Sequence, residues 1–211
     1  MRIVVFGAAG SIGTAITAEL IHRGHDVTGV TRSGRASVAG AHTTTGDAAD
    51  PQAVALLASG ADAVVSAIGP RHDGSEDPLI LATTTRSLID GVRAAGVTRL
   101  VAVGGAGSLL DATGAQHVDN PHFPEAVKPI ALAHAATLDI YRDTHDLKWT
   151  YISPAASIEP GERTGQFRIG GDTLLTDKRG VSRITIPDYA IGLVDQIEKP
   201  TAIRTRITLA Y

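Results

Sequence analysis

The sequence predicts an α/β fold, a doubly wound and mostly parallel sheet with helices on both faces. Three observations carry this expectation. Ile3, Val4, Val5 and Phe6 form an unbroken apolar run, the pattern of a strand buried on both sides. The run breaks at once into glycines spaced GxxGxxG (Gly7, Gly10, Gly13), after which Ile12, Ala15, Ile16 and Leu20 recur at helical spacing. Further short apolar runs then alternate with helix-length segments through five units, an order that calls for crossover connections and parallel pairing.

The glycine turn, Gly7-Ala8-Ala9-Gly10-Ser11-Ile12-Gly13, has the strand-turn-helix context of a dinucleotide fingerprint. Gly7 lets the strand turn sharply, Gly10 lets backbone N–H groups approach a pyrophosphate, and Gly13 lets the helix pack against the strand. Ala9, Ser11 and Ile12 lie on the same turn, at the positive end of the helix dipole. Gly24 ends the helix, and Asp26 to Thr31 reads as the second strand. An NAD-specific site places an acidic side chain just past this strand, but here Arg32 and Ser33 stand there. A guanidinium suits a 2′-phosphate, so Arg32 points to NADP (NADPH).

Ala41 to Thr45 reads as a short third strand, and Asp50-Pro51 starts a helix through about Ser59. Asp47 either accepts from an adenine amino group or is a turn residue. Asp62 to Ile68 is the fourth strand; Ala67, Ile68 and Gly69 end it with small residues where a ribose and diphosphate should pass. Arg71 to Glu76 reads as a loop at the mouth of the site, and Asp77-Pro78 opens a helix running to about Ala95. Thr98 to Val103 is the fifth strand and feeds Gly104, a further cofactor contact. Leu109 to Pro129 has weak periodicity and reads as a long functional loop. Ile130 to about Asp143 is helical and Lys148 to Ser153 is the sixth strand, whose end, Ser153-Pro154, is placed to meet a nicotinamide through backbone groups. Pro160 to Lys178 reads as turns and short strands, Pro187-Asp188 starts the last helix, and Arg204 to Tyr211 closes the sheet. The whole, residues 1–211, reads as one domain with a small substrate-side portion at about 154–186.

Composition narrows the partners. A formal charge of −3 gives no reason to expect nucleic acid or an anionic membrane surface, and no stretch approaches the roughly 20 apolar residues of a membrane span. There are no cysteines, which removes disulfides and thiolate chemistry together. The apolar run at the N-terminus is too short for a signal peptide, so the expected location is cytoplasmic. His22 with His25, and His117 with His122, lack a metal-site pattern, and no metal is expected.

With these segments in view, the sequence resembles the atypical short-chain dehydrogenase/reductases of the NADH-flavin reductase type, relatives of biliverdin reductase B and of NmrA-like proteins. The resemblance covers essentially the whole chain. It rests on the glycine turn, on Val103-Gly104-Gly105-Ala106-Gly107-Ser108-Leu109, on Trp149 to Pro154, on Pro160-Gly161-Glu162-Arg163-Thr164-Gly165 and on Asp188-Tyr189-Ala190. It implies a Rossmann-like fold, a nicotinamide cofactor and flavin or quinone reduction. It also implies a hydroxyl near the nicotinamide at Ser108, although a loop serine or helix cap fits that position too. His134, on the helix bordering the site, is a candidate proton donor, and Tyr141 is a weaker one. Arg163 is either an anion contact at the substrate mouth or part of a plain turn.

One departure matters more than the matches. The wider superfamily pairs a Tyr with a Lys four residues later, but Tyr141 is followed by His145, and none of the four lysines completes such a pair. The leading expectation is therefore direct hydride transfer from NADPH to a flat small-molecule acceptor, a free flavin or quinone, by a monomer or homodimer. A non-catalytic NADP(H)-sensing regulator is the alternative, and a nucleotide-sugar epimerase or dehydratase ranks third.

Overall fold

The computed structural model of the chain describes residues 1–35, 38–70, 77 and 80–211. Its strands are β1 (Arg2–Phe6), β2 (Asp26–Thr31), β3 (His42–Thr45), β4 (Ala63–Ser66), β5 (Arg99–Val103), β6 (Lys148–Pro154), β7 (Ser157–Glu159), β8 (Arg168–Gly170), β9 (Arg183–Thr185) and β10 (Thr205–Ala210). The α-helices among the described residues are α1 (Ser11–His22), α2 (Pro51–Ala58), α3 (Ile80–Ala94), α4 (Lys128–Arg142) and α5 (Ile186–Glu198). The main sheet runs in the order β3-β2-β1-β4-β5-β6-β10-β8, parallel except for the β8 edge, and β7 pairs with β9 in a separate two-stranded piece. This is a Rossmann-like sheet, with the strand order reversing between β1 and β4.

Alternation along β1 explains the unbroken apolar run. Ile3 and Val5 face one core, built with Ile16 and Leu20 of α1 and Leu193 and Ile197 of α5. Val4 and Phe6 face the other, built with Val54 of α2, Leu88 and Val92 of α3 and Leu138 of α4. A central strand covered on both faces has no position left for a polar residue.

Several boundaries differ from expectation. Pro129 does not interrupt α4 but sits in its first turn, where the missing N–H has no intrahelical acceptor to lose. Residues 109–129 are not a plain loop: short 3-10 turns span His117–Asp119 and Glu125–Val127, and Leu110 bridges Gln116 and Thr173. The Asp111 carboxylate organises its start, accepting from the N–H groups of Thr113 and Ala115. β10 does not close the sheet, because β8 adds outside it, antiparallel to Thr208–Ala210. The loop expected at Arg71 to Glu76, and Pro78 of the helix start, lie outside the described residues. Among the described residues no helix is long and apolar enough to cross a membrane.

Candidate active site groove

A groove of about 840 Å³ crosses the ends of β1, β2, β4, β5 and β6, over the point where the strand order reverses. Its central wall is the glycine turn. Gly7 has a φ of +82°, and a Cβ there would come within 2.5 Å of the Ala67 carbonyl oxygen. A Cβ on Gly13 would sit 2.1 Å from the carbonyl oxygen of Gly7, so helix and turn meet backbone to backbone. Gly10 is different. Its φ is −72°, and the nearest atom to an added Cβ is an ordinary 3.5 Å away. The protein's own packing therefore does not require glycine at 10, whereas a ligand lying against the turn would. Ser11, Ile12 and Gly13 line the groove at the start of α1, where first-turn N–H groups have no intrahelical acceptor.

Toward β2 the lining includes Thr31, Arg32, Ser33 and Asp47. The Thr31 hydroxyl is buried and has no hydrogen-bond partner among the described residues. One oxygen of Asp47 accepts from the Ala49 N–H at 2.9 Å, so the turn role expected of it is present, and the carboxylate still borders the groove. An orphaned hydroxyl, an arginine and an open glycine turn along one groove make a donor set that fits a dinucleotide.

Toward β5 the walls close in. Ala67, Ile68 and Gly69 line one side and Gly104, Gly105 and Gly107 the other. These last three glycines have a packing cause: a Cβ at 104 would strike the Tyr151 ring at 2.1 Å, one at 105 the His134 Cβ at 2.7 Å, and one at 107 the Ala131 Cβ at 2.7 Å. The glycine run thus lets α4 lie flat on the segment after β5, which carries His134 to the groove wall across from Gly69, whose added Cβ would be 3.5 Å from His134 Nε2.

Ala9, Pro154 and the remaining cofactor candidates also line the groove, apart from Ser153, whose side chain is buried within β6. The contact expected of Ser153 is through its backbone, which the burial of its side chain leaves open, whereas three candidates are placed differently from expectation. Ser108 is turned away: its hydroxyl accepts from Arg206 Nη1 at 2.8 Å, and Arg206 is held in turn by Asp172. Tyr141 is 2% exposed and packs against Trp149 and Tyr151 in the core, where burial pushes its hydroxyl well above the ordinary tyrosine range. Arg163 does not reach the groove lining but grips Glu19 of α1 through two 2.9 Å bonds. The neighbouring Thr164 and Gly165 are tied by their N–H groups to the buried carboxylate of Asp188. The Pro160 to Gly165 and Asp188 to Ala190 segments, two of those on which the resemblance rests, therefore anchor the C-terminal portion.

The outer end of the groove contains two residues that sequence reasoning did not place there. His117 and Phe123 line it, packed edge to face at 5.2 Å, with Val127, Ile130 and Ala131 beside them. Burial pushes the His117 imidazole below its ordinary range, against the pull of Asp111. A faint signal was available: Phe123 is one of only three phenylalanines, and it stands in an otherwise polar segment. No Tyr and no Lys is among the described lining residues.

The family described as NAD(P)H-binding matches residues 7–197. A solved protein of Burkholderia pseudomallei, described as exported, is 44% identical over the full length of both chains with a TM-score of 0.91. SP1627 of Streptococcus pneumoniae TIGR4, named as an NADH-flavin reductase, is 36% identical with a TM-score of 0.87, covering 100% of this chain and 99% of that one. A protein of Bacteroides thetaiotaomicron named as an epimerase is 34% identical with a TM-score of 0.89, covering 100% of this chain and 96% of that one.

Proposed function

The chain belongs to the NAD(P)H-binding family, and on that premise we propose that it is an NADPH-dependent reductase that delivers hydride to a flat electron acceptor, a free flavin or quinone. The observation carrying this reading is the outer end of the groove. It is continuous with the glycine turn, walled by Phe123, Val127 and Ile130, and has among its described residues no Tyr or Lys for the usual proton relay. Carbonyl and alcohol chemistry needs such a relay, whereas a conjugated acceptor spreads the incoming charge over its own ring.

The residues divide the work along the groove. The Gly7 to Gly13 turn and the first N–H groups of α1 hold the diphosphate; Arg32 and Ser33 hold the 2′-phosphate; Asp47 borders the adenine. Ala67, Ile68, Gly69, Gly104 and Pro154 leave room for the ribose and nicotinamide. A bound reduced nicotinamide supplies the hydride. Phe123 and the aliphatic wall exclude water and keep the acceptor plane parallel to the groove, while His134 offers a ring N–H to its edge. Positioning is the main contribution of the protein.

The test is steady-state NADPH oxidation with FMN, riboflavin and menadione against a buffer blank. Acceptor-dependent oxidation is expected. NADPH binding at micromolar affinity with no oxidation by any acceptor would replace this reading with a cofactor sensor. Turnover of a nucleotide sugar without net NADPH consumption would replace it with an epimerase.

A further inference from the structure

Arg206 on β10 does not line the groove, yet three separate segments meet at it. It stands opposite Tyr151 of β6 in the parallel register, and its side chain is only 3% exposed. The guanidinium donates from Nε to Asp172 Oδ1 at 2.6 Å and from Nη1 to the Ser108 hydroxyl at 2.8 Å, while Nη2 reaches the Asp172 carbonyl oxygen at 3.4 Å. One planar fork thus ties β10 both to the segment after β5 and to the stretch after β8. A buried ion pair adds little stability over a well-packed apolar side chain of similar size, but it fixes where its partners sit.

From these two anchors the constraint runs to the outer end of the groove through backbone bonds. The Asp172 carbonyl also accepts from the Leu110 N–H at 2.8 Å, and the Leu110 carbonyl accepts from the Leu174 N–H at 2.8 Å. Leu109 is fully buried, and its carbonyl accepts from the His117 N–H at 2.8 Å. The next amide, that of Val118, donates to the Gly107 carbonyl at 2.9 Å. His117 in turn holds the Phe123 ring edge to face. Residues 107–110 are therefore clamped by Arg206 on one side and carry the His117 turn on the other.

We propose that Arg206 is a positioning residue for the acceptor: through Ser108 and Asp172 it sets residues 107–110, and through them the place of His117 and Phe123 in the groove wall. The inference rests on the reductase reading and deepens it. It also gives a use to the Ser108 hydroxyl, which faces away from the groove as the second anchor of the fork. An acceptor seated against Phe123 loses contacts when that wall shifts. The cofactor, held by the glycine turn and Arg32, does not depend on it.

Three variants of the full chain test this: Ser108→Ala, Asp172→Ala and Arg206→Lys. Each alanine variant cuts one anchor, and the Asp172 side chain is 55% exposed, so these two decide the matter should R206K fail to fold. Lysine keeps the charge but has no fork to span both anchors. With menadione as acceptor, KM should rise about threefold to tenfold in each alanine variant and further in R206K, with kcat at saturating acceptor within about twofold and the NADPH dissociation constant unchanged. Hydrogen exchange supplies a readout that needs no turnover. The His117 and Val118 amides should exchange about tenfold faster in the variants, while the amides of β1 keep their rates. An unchanged KM, unchanged exchange at His117 and Val118, or acceptor KM and NADPH affinity lost in parallel overturns the positioning role and leaves the reductase reading standing. Unmodified protein that oxidises NADPH with none of FMN, riboflavin and menadione overturns the reductase reading, and the acceptor role of Arg206 with it.

Discussion

The Tyr151 hydroxyl donates to the backbone carbonyl of His134 at 2.7 Å, and the Thr137 hydroxyl donates to the same oxygen at 2.8 Å. The Tyr151 ring also fills the space that Gly104 leaves open, so one side chain fixes the groove floor and the α4 turn that presents His134. Burial pushes this hydroxyl up to about 12, which keeps it a donor at any working pH. Tyr151→Phe removes the bond but leaves the carbonyl satisfied by Thr137, so the loss of stability should be about 1 kcal/mol, a fall in Tm of roughly 2–4 °C. KM for the acceptor should rise several-fold while NADPH affinity holds. Equal losses for cofactor and acceptor would remove the positioning role.

Gly10 and Gly13 should separate folding from binding. Gly13→Ala forces a Cβ to 2.1 Å from a backbone oxygen that cannot move without distorting the turn, and should cost about 1–3 kcal/mol in denaturant unfolding. Gly10→Ala meets nothing closer than 3.5 Å, so unfolding should shift by less than roughly 0.5 kcal/mol. NADPH affinity should nevertheless fall at least tenfold if the diphosphate lies against the turn. Unchanged affinity in G10A would move the diphosphate elsewhere.

Arg32→Glu tests the cofactor preference. A charge-assisted bond to a phosphate contributes roughly 1.5–3 kcal/mol, so losing it should weaken NADPH by about 10- to 100-fold, and the new carboxylate adds repulsion. NADH lacks the 2′-phosphate and should lose little. Fluorescence titration of both cofactors reads the difference, and parallel losses would remove Arg32 from the phosphate site.

The parts legible in the sequence were those built from neighbours along the chain. Strand, glycine turn and helix at residues 2–22 carry their signals within a few residues of one another, as does the Asp50 cap of α2, whose carboxylate accepts from Gln52 and Ala53 as its position predicts. What could not be read were meetings between distant segments. β8 is a strand because Thr208–Ala210 offers it an edge, and Arg168–Gly170 carries no alternation of its own. His117 and Phe123 reach the groove only because residues 109–129 fold back over the glycine run. Tyr141 shows the limit most clearly. Seven residues after His134, it lies on nearly the same face of α4, but two turns are about 10 Å along the axis, which carries its ring off the groove and into the core. Helical periodicity reports the face and is silent on the depth.

Asp188 gives a prediction in pH. Its carboxylate is fully buried and accepts from the N–H groups of Thr164 and Gly165 at 2.7 and 2.8 Å and from the Tyr211 hydroxyl at 2.7 Å. Burial works against the charge, but the donors of Thr164, Gly165 and Tyr211 outweigh it and hold the carboxyl below its ordinary range. A group depressed in the folded state stabilises fully above its unfolded value, about 3.9, and loses that contribution as pH falls through the folded value. Stability should therefore decline as the medium is acidified below about pH 5. Glu19 adds to the same slope, since Arg163 and Arg23 hold it low against its own burial. Asp188→Asn should cost about 2–3 kcal/mol at pH 7, because a neutral amide accepts fewer bonds and places N–H groups against donors. Its stability should then change less between pH 5 and pH 3 than that of the unmodified chain, leaving the share due to Glu19. Urea midpoints at pH 7, 5, 4 and 3 for both proteins check this, and parallel acid profiles would show that the Asp188 charge does not hold the C-terminal portion in place.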